Sequence, residues 1–105
     1  PFFVNAAYLR ERVLELVDAT DDVRWLVLNA EAWTYLDATA IDVLIRLHDE
    51  LDQRGIALCF ARLKGRQREI FEETGLTARI GPDRFFPTVR AAVAAFESAH
   101  AGDAR

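Results

Sequence analysis

The chain has 105 residues, with 13 Lys plus Arg against 17 Asp plus Glu, a formal charge of −4. Hydrophobic residues make up 51 % and charged ones 29 %, the balance of one globular domain that can bury a core without staples rather than of a disordered chain. The acidic excess argues against a nucleic acid partner, the lone Cys59 excludes an internal disulfide and fits a reducing compartment, and the longest apolar runs, Ile56–Ala61 and Ala91–Phe96, fall far short of the ~18–20 residues of a membrane span.

The chain has no Met and opens Pro-Phe-Phe-Val, as though entering a strand halfway, so it is expected to be a piece of a longer protein. Phe2-Phe3-Val4 predicts a strand remnant, and Asn5 is a candidate N-cap for the helix that follows. In that helix Leu9, Val13, Leu16 and Val17 fall at i, i+4, i+7 and i+8 and form one apolar stripe, which Thr20-Asp21-Asp22 ends. Trp25–Leu28 reads as a strand with no polar alternation, expected to be covered on both faces as in a parallel sheet. The loop Ala30–Tyr35 carries Trp33 and Tyr35, suited either to covering a neighbouring helix or to a partner interface.

A second helix is predicted from about Thr39 to Arg54, with Ala40, Val43, Leu44, Leu47 and Leu51 on one face and Gly55 as its stop. Ile56–Ala61 is a further continuous apolar strand. A third helix spans roughly Arg66 to Thr74 and ends at Gly75. Phe85-Phe86 is a short last strand broken by Pro87, and a fourth helix carries Val89, Ala92, Val93 and Phe96 at core spacing. The resulting order β-α-β-α-β-α-β-α predicts an α/β fold with right-handed crossovers, a mainly parallel sheet and flanking helices.

The inventory is poor in catalytic chemistry. Ser98 lies inside the last helix with no G-x-S-x-G turn around it, so a serine hydrolase is excluded. Cys59 sits mid-strand between Leu58 and Phe60, where a buried inert thiol is expected. His48 and His100 lie on different helices with no ligand at metal spacing. Neither a Walker loop nor G-x-G-x-x-G occurs, so no cofactor or metal is implied and a nucleotide-hydrolysing enzyme is disfavoured. A receiver-type phospho-acceptor domain would need an Asp where Asn29 ends the central strand.

Three stretches carry a family resemblance. Leu36-Asp37-Ala38-Thr39-Ala40-Ile41-Asp42-Val43-Leu44, a loop leading into Asp-x-Thr-small-hydrophobic at a helix start, resembles the STAS domain of sulfate transporters and anti-sigma-factor antagonists. Pro1-Phe2-Phe3-Val4-Asn5-Ala6 is similar to the Pro-Leu-Phe-Phe-x-Asn-Ala opening of STAS domains in sulfate permeases of the SulP type. Ile80-Gly81-Pro82-Asp83-Arg84-Phe85-Phe86-Pro87-Thr88-Val89 resembles the family's closing strand and its turn into the last helix. Together they span the chain in matching order, with residues 1–100 as the domain and 101–105 as a C-terminal tail.

The resemblance implies a non-enzymatic, cytoplasmic C-terminal domain of a membrane anion transporter, whose first partner is the transmembrane domain of its own transporter. A homodimer, a regulatory protein, and a nucleotide or anion ligand are further candidate partners. It also implies an additional strand before the Phe-Phe opening, whose absence would leave a sheet edge open to pairing. The alternative is a free-standing anti-sigma-factor antagonist. In such antagonists the residue at the position of Thr39 is phosphorylated, although Ala38 and Ala40 replace the Ser and Gly of phosphorylated members.

Read physically, Thr39-Ala40-Ile41-Asp42 fits a capping box, so that Thr39 or Asp37 would cap the second helix. Arg62-Leu63-Lys64-Gly65-Arg66-Gln67-Arg68 concentrates four cations after the Ile56–Ala61 strand. A parallel sheet would bring this stretch and the Asp37–Thr39 turn to the carboxyl edge of the strands, where ligands of α/β folds collect. Asp37, Thr39, Arg62, Lys64 and Arg66 are therefore a candidate anion or nucleotide-phosphate site. The plainer expectation is a solvated helix start, with Arg68 paired to Glu72 at i, i+4. Docking to anionic lipid or to an acidic loop of the transporter is a third use of the same cations.

Overall fold

A computed structural model describes residues 5–101; the Phe2–Val4 strand and most of the 101–105 tail lie outside the described residues. Helix α1 spans Ala6–Ala19, and the Asn5 side chain accepts from the Tyr8 N–H at 3.1 Å, as the cap expected there should. Val13 and Val17 are buried, whereas Leu16 stands at the margin of the stripe and is 44 % exposed, a correction to its expected place in the core.

Strand β1 (Trp25–Asn29) pairs in parallel with β2 (Ala57–Ala61), Trp25 opposite Ala57 and Asn29 opposite Ala61. Strand β3 (Phe85–Phe86) joins the far side of β2, also in parallel, giving the order β1-β2-β3. The parallel α/β fold is therefore present, with three strands among the described residues. Strand β2 is buried from Leu58 to Ala61, as its continuous apolar sequence requires. In β1 only Leu28 is buried, and Trp25, Leu26 and Val27 remain half-exposed. The expected double cover thus holds for the central strand and not for β1, which among the described residues pairs on one side only.

Helix α2 (Ala38–Gln53) buries Ala40, Ile41, Leu44, Leu47 and Leu51, close to the predicted face. It ends at Gly55, whose φ of +74° is a left-handed geometry that costs glycine nothing. Two cross-helix ion pairs, Arg10 with Glu50 at 2.7 Å and Arg54 with Asp18 at 2.8 Å, tie α1 alongside α2. Helix α3 (Gly65–Glu73) follows β2, and a short helix α4 (Leu76–Ile80) follows in a stretch where no element was expected. Leu76 and Ile80, four apart, are its buried residues, and Arg79 grips Asp49 of α2 with bonds of 3.0 and 2.7 Å.

A 3-10 turn at Pro82–Arg84 leads into β3, and helix α5 (Val89–Ala99) starts where the Thr88 hydroxyl accepts from the Ala91 N–H at 3.0 Å. Of the four positions expected at its core face, Ala92 is fully buried and Phe96 half-buried, while Val89 and Val93 are 39 % and 47 % exposed. The correction has a physical cause: α5 leans on the half-covered face of β1 and leaves a groove beside it.

The larger core lies on the other face of the sheet. Phe60 meets Phe71 edge-on at 5.1 Å and stacks on Phe85 at 5.5 Å. Opposite, Phe96 packs edge-on against Trp25 at 5.3 Å, and Phe86 tilts toward the same indole at 6.0 Å.

Candidate functional site

The pairing of Asn29 with Ala61, and of Ala61 with Phe86, sets the carboxyl ends of the strands on one rim. The backbone continues the ladder there: Ala30 N–H donates to Ala61 C=O at 2.8 Å, and Arg62 N–H to Phe86 C=O at 3.0 Å. The loop after β1 and the loop after β2 therefore emerge side by side, as a parallel sheet demands.

The first loop begins as a tight turn in which the Asn29 side chain accepts from the Glu31 N–H at 3.1 Å. Trp33 folds back so that its ring meets Phe60 of β2 edge-on at 6.0 Å, packed against the core. Tyr35 is 53 % exposed, while Leu36 is buried and pins the chain before α2.

Asp37 is the N-cap of α2. Its carboxylate accepts from the Ala40 N–H at 2.8 Å, and its carbonyl accepts from the Ile41 N–H at 3.1 Å. Thr39 is the second residue of the helix and is exposed. The capping box read from Thr39 to Asp42 does not form, because the cap lies two residues earlier, at Asp37; Asp42 pairs with Arg46 at 3.0 Å instead.

In the second loop Arg62 takes a φ of +61°, uncommon for a residue with a Cβ, and its guanidinium reaches Glu31 of the neighbouring loop at 3.4 Å. Leu63 is buried and Lys64 is exposed. Lys64 is the N-cap of α3 and offers no side-chain cap, as a donor-only ammonium cannot accept from an N–H. Arg66 is held between Glu69 at 3.2 Å and Glu73 at 3.1 Å, and these carboxylates raise its pKa further. Arg68 lies 4.3 Å over the Phe85 ring and 3.8 Å from Glu72, the pairing expected at i, i+4.

Asp37 and Thr39 follow the first of these loops and Arg62, Lys64 and Arg66 lie on or just after the second, and the contact that joins the two loops is Arg62 with Glu31. The start of α2 already carries the Asp37 carboxylate, Arg62 leans on Glu31, and Arg66 is enclosed by its own helix. Of the three candidate cations, Arg62 and Arg66 have carboxylate partners.

Elsewhere, burial pushes the Cys59 thiol up to about 11, so it is inert at neutral pH. Ser98 is exposed on α5, and the His100 ring stacks on Phe96 at 4.2 Å. Among the described residues no cluster of His, Cys, Asp or Glu could hold a metal ion, and no helix is long and apolar enough to cross a membrane.

A feature the sequence reading missed lies beside β1. An apolar groove of about 320 Å³ runs between this strand and α5, lined by Val23, Trp25, Val27, Ala92, Val93 and Phe96, with the Thr20–Asp22 turn at its edge. The signal available was the alternate apolar pair Trp25 and Val27 on one face of β1.

The profile of the STAS domain matches residues 2–92. Over 95 residues the chain is 43 % identical to a probable sulfate transporter of Mycobacterium tuberculosis, covering 90 % of this chain and 17 % of that protein. Sulfate transporter 3.1 of Arabidopsis thaliana is 24 % identical over 104 residues, covering 90 % and 16 % respectively. The chain thus spans about a sixth of the length of the curated relatives it matches.

Among solved structures, the STAS domain of a SulP transporter from Vibrio cholerae superposes with a TM-score of 0.76 at 19 % identity, covering 90 % of this chain and 75 % of that one. The murine solute carrier 26 family member A9 anion transporter, in its inward-facing state, gives 0.77 at 17 % identity over 91 % of this chain and 16 % of that one. The order of elements, the Asp37-capped helix at the carboxyl rim and these likenesses agree: the chain belongs to the STAS domain family, in the group found in SulP sulfate transporters.

Proposed function

We propose that this domain is the cytoplasmic regulatory and docking part of a sulfate or related anion transporter, standing on the inner face of the cell membrane and acting by contact rather than catalysis. One observation carries this reading: 43 % identity over 90 % of the chain to a probable sulfate transporter of which it matches only 17 %. The geometry agrees with it. A compact scaffold presents a rim whose Arg62 and Arg66 are paired with carboxylates and an apolar groove beside β1, surfaces suited to a protein neighbour.

The partner is the membrane part of the same transporter, ahead of a second copy or a separate regulatory protein. The test is transport by the full-length transporter that contains this domain, with Val93→Asp in the groove and sulfate uptake scaled to protein in the membrane. Val93 is 47 % exposed, so the isolated domain should keep its melting temperature while uptake falls several-fold. Uptake equal to wild type, or a gene that encodes no membrane-spanning part, would overturn the proposal. The second outcome would favour the free-standing antagonist.

A second reading keeps an anion or nucleotide phosphate at the rim, contacted by Thr39, Arg62, Lys64 and Arg66 near Asp37. It is favoured by the start of α3, which has neither a side-chain cap nor an acidic residue in its first turn. Calorimetry with sulfate, ATP and GTP decides it. Heat that disappears in Lys64→Ala supports the site, and no heat at millimolar ligand removes it. Phosphorylation of the exposed Thr39 is read separately, by mass spectrometry of the protein from its native cell.

A further inference from the structure

We draw no further inference here: the strongest candidate, the apolar groove between strand β1 and helix α5, belongs to the docking face already proposed, and nothing in the structure shows which segment covers it.

Discussion

The Asp37 carboxylate accepts the Ala40 N–H at 2.8 Å, which makes Asp37, two residues ahead of Thr39, the cap of α2. Asp37→Ala should therefore cost about 1 kcal/mol, and Thr39→Ala less than about 0.5 kcal/mol, since an exposed residue in the first turn satisfies no backbone donor. Urea denaturation of the two variants checks this; equal losses would mean that Thr39 shares the cap.

Arg62 is held at a φ of +61° and its pair with Glu31 is largely solvent-exposed. A left-handed residue with a Cβ costs about 1–2 kcal/mol, whereas an exposed ion pair returns only about 0–1 kcal/mol. Arg62→Gly is expected to leave the domain as stable or up to about 1 kcal/mol more stable, once the entropy glycine adds to the unfolded chain is counted. A clear loss in chemical denaturation would show that the Arg62–Glu31 contact matters more than its exposure implies.

Hydrogen bonding by Arg79 lowers the Asp49 carboxyl below its ordinary value of 3.8. A depressed carboxylate contributes stability above its unfolded pKa and loses it as pH falls through the folded one. Asp49→Asn should thus lower the melting temperature slightly at pH 7. The gap to wild type should close as the pH drops below about 4. A gap that persists in acid would assign the effect to shape instead of charge.

The Cys59 thiol behaves in the opposite sense. Burial raises it from 9.0 to about 11, so its contribution is complete below the unfolded value and drains away as pH rises from about 9 to 11. A disulfide-exchange reagent at pH 8 should leave the folded protein unmodified and label it fully in urea. Rapid labelling without denaturant would show that β2 opens locally.

Phe60 is fully buried and its ring meets Trp33, Phe71 and Phe85. Phe60→Ala should cost about 3–5 kcal/mol, a large part of the stability of a domain this size. The midpoint of urea unfolding reports the loss directly; a cost under about 1 kcal/mol would mean that the cluster collapses around the gap.

How far the fold could be read beforehand follows from element length and patterning. Strands β1 and β2 announce themselves as unbroken apolar runs, and α2 repeats its buried face over four turns. Helix α4 has five residues, too few for Leu76 and Ile80 to reveal a period. Periodicity places Leu16, Val89 and Val93 inward because it marks a face and not how much of it a neighbour covers. At the rim, the parallel sheet made it foreseeable that the loops after β1 and β2 emerge side by side. The carboxylates that engage Arg62 and Arg66 were harder to see: Glu31 belongs to another loop, and Glu73 lies two turns along α3.

Among the described residues the three strands lie across the sheet in the order in which they are strung along the polypeptide. During synthesis each of these strand–helix units can dock on the one just made. The most vulnerable moment comes between the docking of β2 and that of β3, when the Phe60 ring still waits for Phe85 to stack upon it.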